Sequence, residues 1–216
     1  MTLLRERSNP AGTTTSRAPL HPIGSWTIDP SHSSVSLTWS RLRLATATGR
    51  LHCLGVIHID DLPPVGVIRF QQPSGLPVLT MALDPASIET GDADLDARLR
   101  SPEAFDVQRH RWWTLRSESL ELLATGAWRV MATLTANGTP RLVELHLELD
   151  PEPSSPDELV LRGHGVLDRR AFGIGRPGPT YSRQLRLDLV VRARRVESPH
   201  PHREQGGGRC TTSMPG

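Results

Sequence analysis

Apolar and polar residues alternate in short runs along most of this chain, the pattern of strands with one dry and one wet face. The plainest run is Val143 to Asp150, with Val143, Leu145, Leu147 and Leu149 on one face and Glu144, His146, Glu148 and Asp150 on the other. Just upstream, Trp128, Val130, Ala132 and Leu134 alternate with Arg129, Met131, Thr133 and Thr135. Asn137-Gly138 lies between these runs, and both residue types tolerate positive φ, so the pair predicts a tight hairpin. The last run sets Leu185, Leu187, Leu189 and Val191 against Arg186, Asp188 and Arg192. Further strands are expected over 33–40 (Val35, Leu37 and Trp39 inward), 49–59, 77–84, 112–120 and 158–167. Many short strands with turn signals between them point to an all-β sandwich or barrel.

One helix interrupts the pattern. Asp92, Asp94 and Asp96 come early and Arg98 and Arg100 late, the order that complements a helix dipole over about 92–100. Ser101-Pro102 is its stop. Phe105 is placed to anchor the segment on the barrel, either as a lid over one mouth or as plain packing. Residues 61–77 are Pro-rich, with a short apolar piece from Val65 to Phe70, and interrupt the strand pattern. Residues 1–22 and 197–216 are rich in small, polar and Pro residues without periodicity and read as disordered flanks. The folded domain is thus expected over 23–196.

Composition narrows the function. The net charge of +2 is slight, every basic residue is arginine and only nine aromatics are present. No basic stripe with aromatic platforms appears, so no nucleic-acid partner is expected. Cys53 and Cys210 are far apart and form no disulfide framework. The first 22 residues lack the apolar core of a secretory signal and no run is long enough for a membrane span, so cytoplasmic residence is the expectation.

The chemistry-bearing residues are sparse. Asp29 and His32, in Trp26-Thr27-Ile28-Asp29-Pro30-Ser31-His32-Ser33, suit a turn tied by hydrogen bonds, with ligand contact as the second reading. No nucleophile setting accompanies the histidine, and no phosphate, dinucleotide or esterase motif is present. The nine histidines show no ligand spacing, so no metal is expected, nor any cofactor. Gly163 and Gly165 share a face with Leu159, Leu161 and Leu167. Inward glycines in a barrel leave unfilled volume, and a β-bulge explains them equally well.

These blocks together resemble the YceI-like family, described as lipocalin-like and polyisoprenoid-binding. WTIDPSHSSV is similar to the family's opening, and SIETGDADLDARLRSPEAFDV to its central signature. HRWWTLRS stands where the family has its next strand, LTANGTPRLVEL matches its hairpin, and LDRRAFGI its Arg-x-x-Phe-Gly turn. The blocks follow the family's order over 25–193. Arg98 stands in place of a histidine, Ala104 of a phenylalanine, Arg111 of a proline and Asp168 of an asparagine.

The resemblance implies an extended eight-stranded antiparallel lipocalin-like barrel with one short helix, enclosing an elongated apolar pocket. It also implies a non-catalytic role: binding, carriage or sequestration of an isoprenoid lipid, a quinone or another long-chain amphiphile. Strand parity selects Val35, Leu37, Trp39, Trp113, Leu115, Trp128, Leu134, Val143, Leu145, Leu187 and Leu189 as the lining, joined by Phe105 and Phe172. His32, Arg98 and Arg169 are the candidate headgroup contacts. An enzyme in the same cavity (a hydrolase or isomerase) and a filled-barrel interaction module are the alternatives, and a homodimer is compatible with all three.

Overall fold

The computed structural model describes residues 23–41, 45–60, 66, 68–69, 78–150, 155–175 and 181–196. The two flanks expected to be disordered, and most of 61–77, lie outside these residues. Ten antiparallel strands form one sheet: β1 Gly24–Ile28, β2 Ser34–Arg41, β3 Ala45–Ile59, β4 Ile68–Arg69, β5 Leu79–Glu89, β6 Trp113–Leu122, β7 Trp128–Ala136, β8 Thr139–Leu149, β9 Glu158–Asp168 and β10 Tyr181–Arg195. Helix α1 covers Ala93–Arg100, and a 3-10 turn covers Arg169–Phe172.

The ten strands fill eight positions in a closed ring. The strand order runs β10-β2-β3-β5-β6-β7-β8-β9, and β9 pairs back onto β10 from Glu158↔Arg194 to Asp168↔Gln184. β1 and β2 share one position between β10 and β3. The eight residues from Ile28 to Val35 span what β10 covers in five, from Ala193 to Leu189. The surplus is the Asp29–Ser33 segment, which bulges from one wall strand. β4 likewise prolongs β5 along β6, at Leu120 and Glu121. The expected all-β, eight-stranded antiparallel barrel with one short helix is therefore the fold.

The wall follows the alternation of the sequence. In β7 and β8 the residues assigned inward are buried except for half-buried Leu149, and the strands pair without a slip from Trp128↔Leu147 to Ala136↔Thr139. Asn137 (φ 47°) and Gly138 (φ 70°) make the predicted left-handed turn. The ladder shifts where chemistry forces it. Pro85 cannot donate to a ladder, and β5 bulges between the pairs His52↔Asp84 and Arg50↔Glu89. Ser87 Oγ then accepts the His52 N–H at 2.8 Å and donates to the Asp84 carbonyl at 2.6 Å, so the bulge leaves these groups satisfied. A second shift lies between Ser117, paired with inward Ala132, and Ser119, paired with Met131 of the opposite face, and Ser117 Oγ accepts the Leu79 N–H at 3.0 Å.

Gly163 and Gly165 correct both sequence readings of them. They pair in regular register with Leu189 and Leu187 on one side and with Leu147 and Leu145 on the other, so no bulge occurs. Nor do they leave a void. A Cβ at 163 would lie 2.3 Å from Leu147 Cδ2, and one at 165 would lie 2.8 Å from Leu145 Cδ2. The neighbouring leucines occupy the space that the missing side chains release.

Cys53 points into the wall's dry face opposite Leu83 and is 2% exposed. Burial disfavours its thiolate and pushes the pKa up to about 11. A Cys210→Ser variant is therefore expected to react with a thiol reagent at neutral pH only on unfolding. The check is labelling rate against urea concentration, which should rise with the unfolding transition.

Candidate functional site

The candidate site is the barrel interior. The thirteen apolar residues expected to line it all belong to one buried cluster, with Val143 the most exposed at 7%. The cluster runs the length of the ring, from Trp26, Ile59 and Trp128 to Phe105 and Phe172. β3 and β10 have 15 residues each, about 50 Å of chain at strand rise. The described interior is therefore long, narrow and almost wholly apolar. Among all described residues the buried polar or charged ones are Ser33, Asp96, Ser117, Ser119 and Arg169.

One end is capped by the helix and the 3-10 turn. The acidic start of α1 works locally: Asp92 caps it by accepting from the N–H groups of Asp94 (3.0 Å) and Leu95 (3.1 Å). Asp96 reaches back and accepts from Thr90 Oγ1 (2.6 Å) and Thr90 N–H (2.9 Å). Arg100 donates to the carbonyls of Ala86 and Ile88, pinning the helix to β5. Leu95 and Leu99 then face the core. From the far side comes the loop after the 3-10 turn. Gly175 lies so close to the segment after α1 that a Cβ there would sit 1.6 Å from the Glu103 carbonyl oxygen.

Phe105 is the centre of the cap. Its ring lies 6.4 Å from that of Trp39 in a stacked arrangement and 4.7 Å from that of Trp113, edge to face. Its neighbour Ala104 accepts a hydrogen bond from Asn137 Nδ2 at 2.7 Å, tying the cap to the β7–β8 turn. This anchoring of the helical segment is what the sequence suggests for Phe105. The Asn137 contact is a link that sequence reasoning missed.

The three headgroup candidates do not come together. Arg169 is buried, donates to the carbonyls of Ser182 (2.9 Å) and Ile174 (3.0 Å), and fastens the β9–β10 connection at the capped end. Arg98 is exposed on α1. His32 is 63% exposed on the outer wall, where it bonds Asp29 at 3.0 Å. The bulge holding it is tied to β10 at Arg192, ten residues, or about 33 Å of strand, from Ser182. The His32 hydrogen bond, helped by the Ser31 N–H and by Arg194, lowers the Asp29 pKa. Asp29 and His32 thus tie the bulge, as their spacing suggests. Asp29, His32, Glu158, Arg192, Ala193 and Arg194 line a shallow surface hollow of about 130 Å³.

Elsewhere the polar groups serve the outer wall. Arg183 pairs with Asp168 and holds that carboxylate below the usual range. His58 bonds Ser25 Oγ (2.6 Å) and Asp60 (2.8 Å), while His146 and His164 stack across strands with ring centres 5.4 Å apart. Among the described residues no three His, Cys, Asp or Glu side chains converge as a metal site, and no helix is long and apolar enough to cross a membrane.

Removing the Phe105 ring leaves a hole against both tryptophans, so Phe105→Ala should destabilise the fold by about 3–5 kcal/mol. Exposed Arg98→Ala should stay within about 0.5 kcal/mol of the parent. Urea unfolding of the two variants checks the contrast.

Comparison with known proteins identifies one family whose profile, described as the YceI-like domain, matches residues 26–193. Solved structures similar in fold include BcnA of Burkholderia cenocepacia, at 16% identity over 76% of this chain and 98% of that one, with a TM-score of 0.59. A polyisoprenoid binding domain from Saccharophagus degradans, implicated in plant cell wall breakdown, matches at 15% identity over 79% and 98%, with a TM-score of 0.61. A YceI protein of Campylobacter jejuni matches at 20% identity over 65% and 91%, with a TM-score of 0.52. No curated protein matches the chain.

Proposed function

The chain belongs to the YceI-like domain family, and from that premise we propose that it binds a long apolar or amphiphilic molecule, an isoprenoid lipid or quinone, along the inside of the barrel. The observation that carries this reading is a closed ring of eight long strand positions whose inward faces are apolar from end to end. Such an interior suits an apolar chain over most of its length. For a hydrocarbon chain, each methylene moved out of water contributes about 0.8 kcal/mol, so length alone supplies affinity. An eight-stranded barrel has an interior wide enough for side chains or for one slender guest. The polyisoprenoid binding domain among the structural relatives supports the same ligand class.

The role is carriage or sequestration without turnover. The described interior brings no histidine beside a serine or cysteine, and His32 faces solvent, away from the apolar core. The second reading, a filled barrel that works as an interaction module, draws on the leucines over Gly163 and Gly165, which take up volume the glycines would otherwise leave.

Organic extraction of protein purified without detergent, followed by mass spectrometry, separates the two. The binding reading expects a long-chain lipid at close to one per barrel, and reloading of the emptied protein by an added isoprenoid. An empty extract together with no uptake would favour the filled barrel.

A further inference from the structure

At the capped end two indole donors and one amide acceptor, Trp39 Nε1, Trp113 Nε1 and Asn137 Oδ1, are buried without a partner among the described residues. Trp39 and Trp113 are 0% and 1% exposed. Buried indole N–H groups normally find a partner, because a desolvated donor left unpaired is costly. Two in one small domain, both against the Phe105 ring, therefore form one local feature. Asn137 joins them through its own bond to Ala104, the residue before Phe105.

We propose that Trp39, Trp113 and Asn137 form the subsite for the polar end of the ligand, an uncharged oxygen such as a hydroxyl or carbonyl, under the cap at the helix end. This rests on the binding reading above. Both indoles donate to the oxygen, and where the head is an alcohol the Asn137 carbonyl accepts its proton. The tail then runs along the apolar interior towards Trp26 and Trp128. All three groups are neutral, so they match a neutral head. An anion there would lose its water and gain only dipoles. Arg169, the buried cation at this end, donates through Nε and Nη1 to the Ser182 and Ile174 carbonyls.

The test uses the full chain, emptied of lipid and labelled with 15N-tryptophan, and three probes of equal chain length: geranylgeraniol, the hydrocarbon lacking its hydroxyl, and geranylgeranyl phosphate. Trp39→Phe and Trp113→Phe assign the indole signals, and the affinity comparison on the unmodified chain stands even where those variants fold poorly. Geranylgeraniol is expected to move both indole N–H signals and to bind about tenfold more tightly than the hydrocarbon, the worth of one or two net hydrogen bonds. Geranylgeraniol bound with both indoles unmoved, equal affinity for the hydrocarbon, or tighter binding of the phosphate would each overturn the subsite while leaving barrel binding intact. Binding of none of the three would overturn the binding reading and the subsite with it.

Discussion

The ladder between β9 and β10 converts a twisted sheet into a ring, and the remaining features follow from that closure. Eleven consecutive residue pairs join the two strands without a slip. An open sheet of this length would present two unpaired edges, whereas a closed one pairs its edges and defines an inside. Once the ring is shut, strand parity becomes destiny: every second side chain must share one narrow apolar volume. Gly163 and Gly165 lie on β9, in the closing ladder itself, and let leucines from β8 and β10 lean over them. Closure and interior packing are thus solved at the same residues.

The ring then needs an end. α1 cannot be held by propensity alone at eight residues. It is held by its Asp92 cap, by Asp96 on Thr90, by Arg100 on the β5 carbonyls and by the burial of Leu95 and Leu99. The segment that follows delivers Phe105 against two tryptophans. The close approach of Gly175 to Glu103 brings the opposite loop against it. This end is where the apolar interior acquires its unmet hydrogen-bonding groups, and the subsite proposed here places the head of the ligand among them.

Much of this was legible in the sequence because it depends on local order. Alternation in 128–149 and the Asn137-Gly138 pair predict the hairpin directly, and the acid-to-arginine order predicts α1. Features that depend on the partner strand were not legible. Pro85 was the available signal for the β5 bulge, but its extent is set by β3. The glycines of β9 suggested empty volume because the leucines beside them in space are 16 to 26 residues away in the chain. His32 and Arg169 read as members of one headgroup site, and only the β10 register separates them along the barrel. The unmet indoles need three dimensions to be seen, although inward parity at both Trp39 and Trp113, in a chain with so few aromatics, was a hint.

The central claim is that the inside of this barrel, and not its outer wall, receives the ligand. The most direct measurement is a crystal structure of the protein purified without detergent and loaded with a single isoprenoid. The account predicts one elongated stretch of non-protein density inside the ring, with one end against Trp39 and Trp113. An interior filled by protein side chains alone, with the lipid seated on the outer wall, would contradict it.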